Sequence, residues 1–251
     1  MPEPFGRWMA ITDNHGDMID PQAERAAREF CKWFKPNRRI HMGDVWDFRA
    51  LRRGAGDEEK REPIRADFDA GMELLSWFKP QVLLRGNHDE RLFDCAANAR
   101  NATLADFCLG YVSEIASRLK GVEVLPYSKR HGVYRMGHLK FIHGYNSGIT
   151  AARLAAQAYG NVLMGHVHAC DVFSIPGLEP REGRAIGCLC RLDMDYNRAQ
   201  LNTLRQAHGF AYGLVWPNGK YTVWQARDIE GVWVFPSEFK IWEASHAQKA
   251  G

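Results

Sequence analysis

Five clusters of chemistry-bearing residues recur along this 251-residue chain, each directly behind an apolar run. They are Asp13-Asn14-His15, Gly43-Asp44-Val45-Trp46-Asp47, Gly86-Asn87-His88-Asp89, His143-Gly144 and Gly165-His166-Val167-His168. Hard divalent cations ask for carboxylate and carbonyl oxygen, whereas zinc, manganese and iron also accept imidazole. A mixed set of Asp, His and Asn therefore suits two adjacent borderline cations. Side chains separated by one residue in an extended segment point the same way. On that reading Asp13 and His15 chelate one ion, and His166 and His168 reach one pocket. The glycines let the backbone turn tightly beside the ions. Each cluster alone has a plainer explanation: Gly86-Asn87 suits any tight turn, and a lone His is more often a surface or packed residue than a ligand. All five, in this order and each behind a strand, are best explained by one common site.

The elements that must position these clusters follow from periodicity and punctuation. Residues 7–12, 38–42 and 81–85 read as short strands that run straight into the first three clusters. Between them, Asp20 as cap and Pro21 in the first turn open a helix over 21–34. A second helix is expected around 66–79 and a third over 103–119. Residues 49–65 hold six basic and four acidic side chains with two glycines, and read as a solvated loop or insertion. Strands at 121–125, 132–136 and 138–142 precede His143. Thr150 is placed to cap a helix that stops at Gly160, and 161–164 is a strand meeting Gly165-His166. After residue 170 the helix signal disappears and five strands follow, with Pro217-Asn218-Gly219-Lys220 closing a hairpin. The pattern is βαβ alternation first and antiparallel strands later, in one continuous domain over residues 1–251. In open α/β sheets, sites form at the strand C-termini, where the clusters lie.

Composition narrows the class of protein. The chain is 45% hydrophobic and 25% charged, as an ordinary globular protein is, and its formal charge of +3 is too small to imply a nucleic-acid partner by itself. No apolar run approaches the roughly 18 residues needed to cross a bilayer. Without a membrane segment or a signal-peptide pattern at the start, a cytoplasmic location is expected. The six cysteines form no CxxC pair, and Cys188-Leu-Cys190 reads as two buried side chains sharing one face of a strand.

Together the five clusters resemble the calcineurin-like metallophosphoesterase superfamily, whose pattern is DxH, GDxxD, GNHD/E, H and GHxH. The resemblance runs from Asp13 to His168. It implies a four-layer α/β/β/α sandwich of two mixed sheets flanked by helices, with the antiparallel strands after 170 completing the second sheet. By the resemblance, Asp13, His15, Asp44 and His168 would hold one metal, and Asp44, Asn87, His143 and His166 the other, so that Asp44 bridges. His88 would face the substrate as the acid catalyst, and Asp47 would hydrogen-bond it and hold its tautomer and charge.

The resemblance also implies two divalent ions, manganese first, with iron, zinc or nickel admitted by the donor set. Two such cations about 3.5–4 Å apart bring bound water near neutrality and polarise phosphoryl oxygens. In-line attack on phosphorus by the hydroxide the ions share then needs a proton for the leaving oxygen, which His88 is placed to give. The expected substrate is a phosphoester, specifically a nucleotide or nucleic-acid phosphodiester. Phe48-Arg49 after Asp47, and GNHD in place of GNHE, set the chain apart from the Ser/Thr protein phosphatase branch. Arg91, Arg49, Tyr145 and Asn146 are the candidate substrate contacts. A phosphomonoesterase with the same metals, and a non-catalytic scaffold of this fold such as the retromer subunit, are the alternatives. The late tryptophans Trp216, Trp224, Trp233 and Trp242 read as core or subunit contacts rather than base-stacking platforms.

Overall fold

The computed structural model describes residues 6–179, 181–192 and 201–233. Strand β1 (Gly6–Ile11) lies near the middle of a seven-stranded sheet, with β2 (Arg38–His41), β3 (Val82–Leu84) and β4 (Glu123–Leu125) beside it in parallel. The second sheet has five strands. It is built on β5 (Tyr134–Met136), β6 (Leu139–Ile142) and β7 (Val162–Met164), followed by β8 (Cys170–Ile175) and β9 (Arg181–Ile186), in the order β5-β6-β7-β9-β8. Within it β6, β7 and β9 run parallel. Both sheets are therefore mixed.

Alternation along β1 shows how the layers arise. Met9 and Ile11 face α1 (Pro21–Phe34) and α3 (Ile64–Phe78), packing with Phe30, Phe34, Phe68 and Leu75. The intervening Trp8 and Ala10 face the second sheet, with Ile40, Leu139, Phe141 and Leu163. That period of two is the geometry of a strand buried on both faces. Trp8 meets Phe141 edge-on, ring centroids 5.4 Å apart. The far side of the second sheet is covered by α6 (Ala151–Tyr159), whose Ala151 and Ala155 pack on Ile142, Val162 and Ala185. Helices, sheet, sheet, helix make four layers, as expected.

Several local expectations are modified. The strands after 170 divide between the sheets: β8 and β9 complete the second, but β10 (Gly209–Val215), β11 (Trp224–Ile229) and β12 (Val232–Trp233) extend the first, β10 pairing antiparallel with β1. The charged stretch 49–65 contains a short helix, α2 (Asp57–Arg61), and its charges pair internally, Arg52 with Glu59 and Arg49 with Glu62. A further helix, α4 (Asp89–Asn98), starts directly behind His88 and leads to α5 (Ala102–Arg118). Asp20 caps α1 as predicted, accepting from the Gln22 and Ala23 N–H groups at 2.9 Å. Thr150 occupies the cap position of α6 without a side-chain cap bond. Trp233 packs against the outer core beside Phe210, Trp224 stacks on Tyr212, and Trp242 lies outside the described residues. No helix among the described residues is long and apolar enough to cross a membrane.

Candidate metal centre

The C-terminal ends of β1, β2, β3, β6 and β7 open at one edge of the sandwich, and the loops that follow are stitched together through their backbones. Asp13 N–H donates to the Gly43 carbonyl (3.0 Å), His15 N–H to the Asp44 carbonyl (3.1 Å) and Gly165 N–H to the His143 carbonyl (2.8 Å). The approach is close enough that a Cβ at Gly86 would overlap the Asp44 carboxylate, and one at Gly165 the Asp13 carboxylate. These two glycines are therefore required for contact between loops as well as for turning.

Seven candidate ligands converge here in two groups. In one, His168 Nε2 lies 3.3 Å from Asp13 Oδ1 and 3.2 Å from His15 Nε2, and His15 Nε2 lies 3.8 Å from Asp44 Oδ2. In the other, His143 Nε2 lies 3.2 Å from the same Asp44 Oδ2 and 3.0 Å from Asn87 Oδ1, which is 2.8 Å from His166 Nδ1. One carboxylate oxygen of Asp44 thus faces both groups. Its other oxygen accepts from the His88 N–H (2.8 Å). Similarly, Asp13 Oδ2 accepts from the His166 N–H (2.9 Å) and the Thr12 hydroxyl, while Asp13 Oδ1 is buried without a hydrogen-bond partner.

The backbone is strained at the same points. Nine non-glycine residues among those described have positive φ, and five of them are Asp13 (53°), His15 (50°), Asp44 (52°), His166 (69°) and His168 (53°). Left-handed geometry at a non-glycine residue costs on the order of 1–3 kcal/mol, and it clusters where function over-determines the backbone. It also corrects the extended geometry expected of Asp13-x-His15 and His166-x-His168. Successive left-handed turns beyond the strand ends aim these side chains, not strand alternation.

The charges hold each other in unusual states. Burial works to raise the Asp13 carboxyl, but the His168 and His143 imidazoles overcome it and hold the group well below the carboxylate range; Asp44 is likewise held low, chiefly by His143. Burial opposes charge on His143 and His168 too, yet Asp44 pushes the first, and the Cys188 sulfur together with Asp13 the second, up to about 9. Two buried carboxylates that draw protons onto their imidazole neighbours make a site that demands positive charge at its centre. With an oxygen donor left unpaired and a mixed N/O set, these residues fit divalent cations.

His88 and Asp47 are brought together as expected, with His88 Nδ1 against Asp47 Oδ1 and Nε2 3.9 Å from Asp44 Oδ2. The expected imidazolium is not what the surroundings favour, however. Burial lowers His88 below its ordinary value, and the adjacent carboxylates only partly offset this. The permanent cation here is Arg91, whose guanidinium sits 3.3 Å from His88 Nε2 and donates to the Asp47 carbonyl (2.7 Å) and Oδ1 (3.1 Å). A cavity of about 110 Å³ opens beside this pair, lined by Asp47, Arg49, Arg52, Glu59, His88 and Arg91. Arg49 is already held by Asp17 (2.8 Å to each oxygen) and Glu62. Tyr145 and Asn146 lie instead at a separate cavity of about 350 Å³ against α6, and the Tyr145 hydroxyl donates to the Ser128 carbonyl (2.7 Å).

Four residues support the site in ways the motifs do not reveal. Asp89, buried, accepts from the N–H groups of Asp44 (2.8 Å), Trp46 (3.0 Å) and Gly86 (2.8 Å). Burial and the charge of Asp44 push its carboxyl up to about 7, against the Gly86 and Trp46 bonds. Asp67 accepts from Asp47 N–H (3.1 Å) and Phe48 N–H (2.7 Å). His41 donates from Nε2 to Asn14 Oδ1 (2.8 Å), and burial takes it down to about 3. Cys190 Sγ stands 3.6 Å from His168 Nδ1.

No family model and no curated protein matches the chain. Among solved structures it is similar to a Vps29 variant from Entamoeba histolytica (11% identity, TM-score 0.48, covering 91% of this chain and 96% of that one). A metallophosphoesterase from Sphaerobacter thermophilus is similar at 16% identity and TM-score 0.46, covering 89% of this chain and 88% of that one. The phosphoesterase Yfce from E. coli is similar at 12% identity and TM-score 0.37, covering 86% and 96%.

Proposed function

We propose that this chain is a metal-dependent phosphoester hydrolase of the calcineurin-like metallophosphoesterase superfamily, acting on a phosphodiester of a nucleotide or nucleic acid. One observation carries the reading: seven buried or half-buried donors from five strand ends form two groups that share one oxygen of Asp44, 3.2 Å from His143 Nε2 in one and 3.8 Å from His15 Nε2 in the other, with left-handed backbone at five of the seven. Asp13, His15, Asp44 and His168 would hold one ion and Asp44, Asn87, His143 and His166 the other; manganese is the proposed metal, and the donors admit iron, zinc or nickel. When bound, such ions activate water and polarise a phosphoryl group.

The rest of the chemistry belongs to the chain. Asp47 fixes the His88 tautomer by accepting from Nδ1, so Nε2 of the neutral ring that burial favours must first take up a proton before it can pass one to the leaving oxygen. Arg91 neutralises charge on that side in every protonation state. A departing alkoxide benefits from both, whether it leaves a diester or a monoester. His88→Asn is expected to lower turnover by roughly 10²–10⁴-fold with metal content intact; metal analysis showing a lost ion would make His88 a ligand instead. Arg91→Gln should reduce kcat/KM by roughly 10²-fold with partial recovery in Arg91→Lys, and an unchanged kcat/KM removes Arg91 from the substrate's neighbourhood.

The test of the function itself is metal analysis of the purified protein with hydrolysis of a chromogenic diester and monoester. Two equivalents of metal and faster diester cleavage, abolished by chelation, are expected. Preference for the monoester would make it a phosphatase, metal without turnover of either a scaffold, and absence of metal binding would end the reading.

A further inference from the structure

An imidazole that gives one nitrogen's lone pair to a cation carries its proton on the other, and that N–H needs an acceptor, ordinarily a carboxylate, a carbonyl or water. His143 follows the ordinary pattern: Nε2 faces Asp44 and Asn87, and Nδ1 lies 3.0 Å from the Met42 carbonyl. His168 departs from it. Its Nε2 faces Asp13 and His15, and its Nδ1 has the sulfur of Cys190 at 3.6 Å.

Cys190 is fully buried and held from several directions. Its N–H and that of Leu189 both donate to the Asp13 carbonyl (3.0 and 3.1 Å), and its own carbonyl accepts from His208 Nε2 (3.0 Å). Its position is thus referenced to the loop that carries Asp13, the partner of His168 at the site. Cys188, two residues away and equally buried, turns its sulfur to the Cys190 and Ala207 carbonyls.

We propose that Cys190 is the positioning residue for His168: its sulfur accepts the Nδ1–H, fixes the tautomer that leaves Nε2 free, and so sets the affinity of the ion held by Asp13, His15 and His168. The inference rests on the metal-binding reading above and goes beyond it, since the superfamily pattern contains no cysteine. The sulfur meets Nδ1 of His168, not the Nε2 that faces Asp13, but it also lies within 4.8 Å of a His15 ring nitrogen, so direct ligation by Cys190 is the rival outcome that the cobalt spectrum separates.

The experiment is a chelator-competition titration of manganese into the wild-type protein and its Cys190→Ala, Cys190→Ser and Cys188→Ala variants, with the absorption spectrum of each cobalt-loaded form. Cys190→Ala is expected to weaken one of the two ions by about 10–100-fold and leave the other unchanged. Serine, whose hydroxyl also accepts, should recover part of the loss. Cys188→Ala removes a buried sulfur that acts on His168 through its charge but is turned to the Cys190 and Ala207 carbonyls and has no bond to Nδ1, so it should cost clearly less affinity than Cys190→Ala. The cobalt protein should show no thiolate-to-metal charge-transfer band. Equal affinities in Cys190→Ala and wild type would overturn the proposal, as would equal losses in the Cys188 and Cys190 variants, or a charge-transfer band that Cys190→Ala abolishes. A wild-type protein that binds neither ion would overturn this inference and the metal reading together, whereas normal binding in every variant overturns the inference alone.

Discussion

Replacing Asp44 by asparagine is expected to remove both ions at once, and with them roughly 10³-fold or more of turnover, because the Lewis-acid contribution of such ions is several kcal/mol. The reason is the placement of one atom. Asp44 Oδ2 lies 3.2 Å from His143 Nε2 in one group of donors and 3.8 Å from His15 Nε2 in the other. A neutral amide there withdraws the negative charge that both groups share, and its nitrogen faces two imidazoles with the wrong polarity. Asparagine retains a side-chain oxygen for the His88 N–H, which Oδ1 of the carboxylate accepts at 2.8 Å, so the loop geometry is kept. By contrast, Asn87→Ala touches only the His143 and His166 group and should cost one ion of the two. Metal analysis of the two variants decides the matter. An Asp44→Asn protein that keeps one tightly bound ion would show that the carboxylate serves a single cation.

How much of this was legible in the sequence depends on how local each signal is. Asp13, His15, Asp44, Asn87, His143, His166 and His168 each follow an apolar strand directly, and parallel strands of one sandwich end at one edge, so their convergence follows from chain order alone. The destination of the late strands does not. Every residue of β10 is buried, and burial on both faces looks the same in either sheet; only pairing with β1, some 200 positions earlier, decides it. Helix α4 was hidden for a different reason: Asp89 and Leu92 are its only fully buried residues, too few to make a stripe. The left-handed backbone at five ligands is equally invisible, since none of them is glycine. Arg49 reads as a phosphate contact until its partners Asp17 and Glu62 are known, because side-chain pairing across a fold leaves no periodic trace.

The supporting carboxylates are the clearest case of such hidden wiring, and Asp89 carries the second large prediction. In the motif it reads only as the last letter of Gly86-Asn87-His88-Asp89. In the fold its two oxygens accept three backbone N–H groups, those of Asp44 and Gly86 on Oδ2 and that of Trp46 on Oδ1. The loop after β2 and the loop after β3 are thereby fastened to one side chain, at the start of α4 where a helix N-terminus favours negative charge. Alanine would leave three buried N–H groups without acceptors, at roughly 1–3 kcal/mol each. Asp89→Ala should therefore lose about 4 kcal/mol or more, a drop in Tm of about 10 °C for a chain of this size. Its metal affinity should fall as well, because the spacing between Asp44 and Asn87 relaxes. Asp89→Asn should fall between, since its oxygen can keep the two bonds made by Oδ2 while its amide nitrogen meets the Trp46 N–H donor to donor. Thermal melts of the metal-free variants, followed by manganese titration, give both quantities separately. If Asp89→Ala melted within about 2 °C of wild type and bound both ions normally, Asp89 would not be what holds the two ligand loops in register.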